Sequence, residues 1–140
     1  VSYLKLEGPH FASGVIQFSD QIQDLGPATD DSVDYPDFAD SVAQKIQHDS
    51  TQNIGVLICG SGQGMCMRAN RYPKVRAALV YNEQIAALAR QHNDANVICL
   101  GGRVTDHDLA LRLVKIFLES TFEGGRHLNR IKKLEKKILC

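Results

Sequence analysis

An α/β fold with a parallel sheet covered by helices on both faces is the class this sequence predicts. Short continuous apolar runs recur at IGVLIC (54–59), VRAALVY (75–81) and NVICLGG (96–102). Runs of this length, apolar at both alternating sets of positions, suit strands buried on both faces. Segments with helical spacing follow them, most clearly NEQIAALARQHN (82–93) and DHDLALRLVKIFLEST (106–121). Strand–helix alternation of this kind builds βαβ units and therefore a parallel sheet.

Taken in order, SYLKLE (2–7) reads as a first strand, GPHF as its turn, HFASGVIQF as a stunted helix and DQIQDLG (20–26) as a second strand. The stretch DLGPATDDSVDYPDF, rich in Asp, Pro and Ser, reads as a loop before a helix beginning near Phe38. IGVLIC breaks into GSGQG, and MCMRAN then opens a helix. Ile85, Leu88 and Ala89 share one face of the next helix, with Asn82 as its N-cap. Asp106 or Asp108 starts the following amphipathic helix. RHLNRIKKLEKKIL (126–139) is a last, basic helix.

With 140 residues, 44% of them apolar and 23% charged, the chain has the size and composition of one globular domain. Sixteen basic and 16 acidic residues cancel, which leaves no electrostatic case for a nucleic-acid partner and removes one barrier to self-association. No apolar stretch approaches the length of a membrane span, and VSYLKLEGPHFASG lacks the layout of a secretory signal. The four cysteines (59, 66, 99 and 140) form no CxxC pair. Cys59 and Cys99 lie inside apolar runs, which suits reduced thiols in a cytoplasm better than a disulfide framework. No Cys/His set has the spacing of a zinc site, so no metal is expected.

GSGQG (60–64) lacks the Lys-Ser/Thr ending of a phosphate-binding P-loop, and it is not GxGxxG. No well-placed acidic residue closes the strand after it, which argues against a dinucleotide site. Its position still matters, because open α/β sheets bind ligands at the carboxyl ends of their strands. Glycines 60, 62 and 64 would let backbone amides approach a substrate oxygen, where a helix start favours negative charge. Cys59, directly before this loop, has a setting that favours the thiolate. It would attack a carbonyl or remove a proton from the neighbouring carbon; otherwise it is an inert buried strand end. Arg126 and Arg130, four residues apart after a Gly-Gly break, share one helix face and form a candidate bidentate phosphate clamp. Lys132, Lys133, Lys136 and Lys137 read as a solvated face. His92 reads either as a functional group or as a helix-end histidine facing the last carbonyls. Tyr35, before Pro36, either lines a site or packs a loop.

CGSGQGM, RAALVYNEQIAALARQHNDANVICLGGR and FEGGRHLNR, with DYPDF upstream, closely resemble the family of the type B ribose-5-phosphate isomerases and galactose-6-phosphate isomerase subunits. The resemblance runs from about Asp24 to Arg130. It implies a Rossmann-like three-layer α/β/α sandwich with an about five-stranded parallel sheet and a C-terminal helix, in a single domain (1–140) whose first 23 residues are atypical. It also implies a cytoplasmic aldose–ketose isomerase that converts ribose 5-phosphate to ribulose 5-phosphate without metal or cofactor. The family works as a homodimer or a dimer of dimers, each active site built from two subunits.

Carried across, Cys59 matches the catalytic base, which moves the C2 proton to C1 through a cis-enediolate. Some members instead use a glutamate after the glycine loop; here that position is Met65. Amides of Gly60, Gly62 and Gly64 would stabilise the enediolate oxygen, and Ser61 would relay a proton between oxygens. His92 matches the ring-opening histidine, and Asn93 a contact to a sugar hydroxyl. Tyr35 and Arg103 match substrate contacts; Arg126, His127 and Arg130 match the phosphate set. The family's first strand ends in Ser-Asp-His-Ala, which is absent. His10 takes the histidine's place if SYLKLE is the first strand, with Pro9 in place of the aspartate; alternatively SYLK belongs to the first helix. The competing functions are isomerisation of allose 6-phosphate or galactose 6-phosphate, and non-catalytic phosphosugar binding.

Overall fold

The computed structural model describes residues 2–5, 22–29 and 31–137. Five parallel strands run β1 (Ser2–Lys5), β2 (Ile22–Asp24), β3 (Ile54–Cys59), β4 (Ala77–Leu79) and β5 (Val97–Gly101). The helices are α1 (Tyr35–His48), α2 (Gln63–Ala69), α3 (Glu83–Asn93), α4 (His107–Glu119) and α5 (Arg126–Leu134). Strand order is β2-β1-β3-β5-β4, every neighbouring pair parallel. The first strand read from SYLKLE is therefore β1, paired with β2 and β3; His10 and the segment read as a stunted helix lie outside the described residues.

Why IGVLIC and VICLG look continuously apolar is explained by the two layers on the sheet. Val56 and Ile58 join Ile98 and Leu100 in a core shared with Ala86 and Ala89 of α3 and Leu113, Val114 and Phe117 of α4. Leu57 and Cys59 join Val97 and Cys99 in the opposite core, with Ala39, Val42 and Ile46 of α1 and Met65 and Ala69 of α2. Alternate residues thus feed opposite layers, and both must be apolar. Phe117, fully buried, also carries the Arg90 guanidinium 5.7 Å from its ring centroid. Truncating Phe117 to alanine is expected to cost about 3–5 kcal/mol; a denaturant midpoint unchanged from the parent chain would contradict this packing.

The predicted helix starts resolve in detail. The Asn82 side chain accepts the Ile85 N–H at 2.9 Å, and Asp106, rather than Asp108, accepts the Leu109 N–H at 2.9 Å. α1 begins at Tyr35, three residues before Phe38, because Pro36 is accommodated in the first turn, where its missing N–H has no helical role. β4 is shorter than VRAALVY suggested and only partly buried: it is an edge strand with β5 as its one neighbour. Asn70 ties it to α2, donating to the Cys66 and Ala77 carbonyls at 3.0 and 2.8 Å and accepting the Ala77 N–H at 2.8 Å. The basic helix ends at Leu134, earlier than its charge pattern suggested.

Candidate active site

The chain turns from β3 into α2 where strand order reverses between β1 and β3, the kind of crevice that binds ligands in open α/β sheets. Cys59, the last residue of β3, is 5% exposed. Its Sγ accepts the backbone N–H of Gly62 at 3.2 Å. Gly62 is held at φ 77°, and a Cβ there would come within 2.8 Å of Leu79 Cδ1 and of the Leu100 carbonyl carbon. Only glycine satisfies both the left-handed turn and the close approach. The Ser61 hydroxyl accepts the Gln63 N–H at 3.4 Å, so the loop's amides fold back on Cys59 and Ser61. Met65 is fully buried in the layer beneath.

Two neighbouring segments wall this loop. Gly102 donates to the Cys59 carbonyl at 2.8 Å and Arg103 to the Gly60 carbonyl at 3.1 Å, joining the turn after β5 to the turn after β3. The Arg103 guanidinium crosses Gly60: a Cβ there would lie 3.2 Å from Nη1. On the other side the Tyr35 ring crosses Gly64, where a Cβ would stand 2.3 Å from the phenol oxygen. Tyr35 remains 40% exposed. The result is a cleft of about 730 Å³ with Cys59, Gly60, Ser61 and Gly64 at its floor and Tyr35 and Arg103 at its sides. Asp31, Ser32 and Val33 of the loop before α1 close its rim. Behind it, Arg68 of α2 grips Asp40 of α1 through two bonds of 2.6 and 2.9 Å. Hydrogen bonding to that guanidinium holds the Asp40 carboxyl below the ordinary carboxylate range.

His92, Arg126, His127 and Arg130 do not line this cleft. They form a second group, at the C-terminus of α3 and the start of α5. The His92 and His127 rings stack at 4.3 Å, 14° from parallel. The buried His127 has its pKa pushed down, first by desolvation and then by the charges of His92, Arg126 and Arg130; Glu123 opposes them. Glu123 Oε2 stands 3.9 Å from His92 Nε2 and 3.7 Å from His127 Nε2. Arg126 and Arg130 are exposed on α5. Asn93 is exposed beside His92, its carbonyl accepting Arg76 Nε at 3.1 Å. The sequence reading assigned nothing to Glu123. Its one signal was its place four residues before His127, and only the fold brings it to His92.

The described residues therefore form two separate groups of candidate functional side chains. One combines a thiol, a glycine loop, a phenol and a guanidinium, as needed to hold a small polar molecule and move a proton on it. The other combines two imidazoles and two guanidiniums, suited to proton donation and to a phosphate.

Comparison with known proteins bears on both. The Ribose/Galactose Isomerase family matches residues 9–134. The chain is 50% identical over 114 residues to a probable ribose-5-phosphate isomerase B of Mycoplasma genitalium, covering 81% of this chain and 75% of that one. It is 39% identical over 132 residues to the putative sugar phosphate isomerase YwlF of Bacillus subtilis, covering 91% and 88%. Among solved structures, the Mycoplasma genitalium ribose-5-phosphate isomerase B with bound ribulose-5-phosphate superposes with a TM-score of 0.86 at 41% identity. That superposition covers 96% of this chain and 93% of the other.

Proposed function

This chain belongs to the ribose/galactose isomerase family, and on that premise we propose that it interconverts ribose 5-phosphate and ribulose 5-phosphate with Cys59 as the base. It is an isomerase, an intramolecular oxidoreductase, and no cofactor is required: one carbon is oxidised as its neighbour is reduced. The observation that carries the reading is Cys59 at the floor of the cleft, its sulfur held by the glycine loop.

In this reading His92 first gives a proton to the furanose ring oxygen as the C1–O bond opens, and the anomeric hydroxyl passes its own proton to water. Cys59 then takes the C2 proton of the open-chain aldose, leaving a cis-enediolate whose charge rests on O1. Loop amides other than those of Gly62 and Gln63, which are bonded to Cys59 and Ser61, stabilise that oxygen, which is where preorganised donors contribute most. Ser61 passes the O2 proton to O1, and the thiol returns its proton to C1 to give the ketose. Tyr35, Arg103 and Asn93 contact the sugar, and Arg126, His127 and Arg130 hold the phosphate. The N–H of Gly62 is directed to the sulfur, so this glycine serves the base and the bend of the loop.

Because the two half-sets lie apart in one chain, we infer that a second copy completes each site, in a homodimer or a dimer of dimers. A phosphorylated sugar is the partner; nucleic acid and membrane are not. Among the described residues no helix is long and apolar enough to cross a membrane. Cys59, Cys66 and Cys99 are unbridged thiols, in keeping with a reducing cytoplasm.

The purified chain is expected to convert ribose 5-phosphate with a turnover of about 1–10³ s⁻¹, the ordinary enzyme range, and six-carbon aldose 6-phosphates more slowly. A ketose assay on five- and six-carbon phosphates checks this. The reverse preference would transfer the site to a hexose phosphate, and tight binding without turnover would make it a phosphosugar-binding protein.

A further inference from the structure

Glu123 takes no part in the proposed reaction, yet its backbone is anchored and its half-exposed side chain faces two imidazoles. Its carboxylate reaches both imidazoles at 3.9 and 3.7 Å. Its own N–H donates to the Gln91 carbonyl at 3.0 Å, anchoring the segment before α5 one residue from His92. Donor atoms of His92, Glu123 and His127 all lie within 4.8 Å of one another, close enough to raise the question of a metal ion. Ring geometry argues against one. The lone pair of an imidazole nitrogen lies in its ring plane, and a ligated cation sits about 2 Å along it. Two rings stacked 4.3 Å apart and 14° from parallel do not direct their lone pairs at a common point. The same arrangement places one carboxylate beside both rings.

We propose that Glu123 is the positioning residue of the His92–His127 pair, its carboxylate facing both rings and supplying the negative charge that offsets the cations around them. The groups acting on His127 are the His92 ring and Arg126 and Arg130 of α5, with Glu123 as the opposing charge. Of the charges acting on His127 among the described residues, the Glu123 carboxylate is the one that favours the protonated ring. The proposal rests on the isomerase reading, in which His92 opens the sugar ring, but its charge relation can be measured without turnover.

The test is Glu123→Gln, which keeps the shape and removes the charge. Turnover of ribose 5-phosphate should fall about tenfold, part of what a positioned acid contributes. KM should stay level or fall, because a negative charge has left the cluster that would hold the phosphate. The NMR titration midpoint of the His127 imidazole should move to lower pH, since the lost charge favoured the protonated ring. Glu123→Asp should recover part of the turnover and return the midpoint toward its parent value.

A packing role alone would raise KM and leave the titration where it was. That result, or an E123Q chain with unchanged kcat and unchanged midpoint, would overturn the proposal. A parent chain without isomerase activity would instead remove the functional reading, and the His127 titration alone would then decide whether Glu123 controls the pair.

Discussion

Replacing Cys59 with alanine should lower turnover of ribose 5-phosphate by about 10³-fold, within the range a positioned base contributes, while leaving the fold in place. The loss should be this large because neither described side chain next to Cys59 in the loop replaces it as a base. Ser61 has a hydroxyl already accepting the Gln63 N–H, and Met65 is buried in the layer below. Structural disruption should be small. The change removes one sulfur from a nearly buried strand end, and the main effect on the loop is that the Gly62 N–H loses its acceptor. A thermal midpoint within a few degrees of the parent, with KM little changed, would separate lost chemistry from lost structure. Cys59→Ser supplies a control: it restores the acceptor but not the acidity of a thiol, so it should fold like the parent and remain nearly inactive. Turnover of Cys59→Ala within tenfold of the parent would remove Cys59 from the mechanism.

A mixture of two inactive chains should regain activity if each site is shared between copies. Cys59→Ala disables the half-set on the β3 turn, and His92→Ala the half-set at the end of α3. No residue of α3 or α5 lines the cleft at Cys59 among the described residues. When the variants are mixed and allowed to exchange subunits, half of the dimers should contain one of each. Every mixed dimer carries one site with both changes and one with neither, so roughly a quarter of parent activity should return for a two-fold symmetric pair. Each variant alone should stay inactive under the same exchange conditions. Absence of recovery, with exchange verified by mass, would mean that the catalytic groups act within one chain and that the paired-site reading is wrong.

The most legible parts of the sequence were those where burial on both sides of the sheet forces an unbroken apolar run. IGVLIC and VICLG are such runs, and their alternate residues enter opposite cores. The caps at Asn82 and Asp106 were legible for a local reason: a short polar side chain meets the free N–H of a residue three positions on. VRAALVY misled about length, because an apolar run does not reveal whether a strand sits at the centre or the edge. The start of α1 is harder to read because Pro36 resembles loop sequence, although proline fits the first turn of a helix.

The candidate site divides in the same way. Cys59 and the loop from Gly60 to Gly64 were legible together because they are adjacent in sequence, and their chemistry follows from adjacency at a strand end. The placement of Tyr35 over Gly64 and of Arg103 over Gly60 was not, since each depends on where a separate connection crosses the end of the sheet. His92 and His127 were both singled out, but not as a stacked pair, and Glu123 was not singled out at all. No spacing rule brings residues 92, 123 and 127 together; the docking of the segment before α5 against α3 does.

By itself, then, the sequence determined the α/β class, the two-sided burial of its central strands, the loop that bends at Gly62 and the residue types available for chemistry. Those properties are local, set by side-chain periodicity and backbone freedom over a few residues. Tertiary structure decided which of those residues meet. It divided them into a thiol cleft and an imidazole–guanidinium cluster, because the ends of β3 and α3 are fixed by strand order, which no short stretch of chain records.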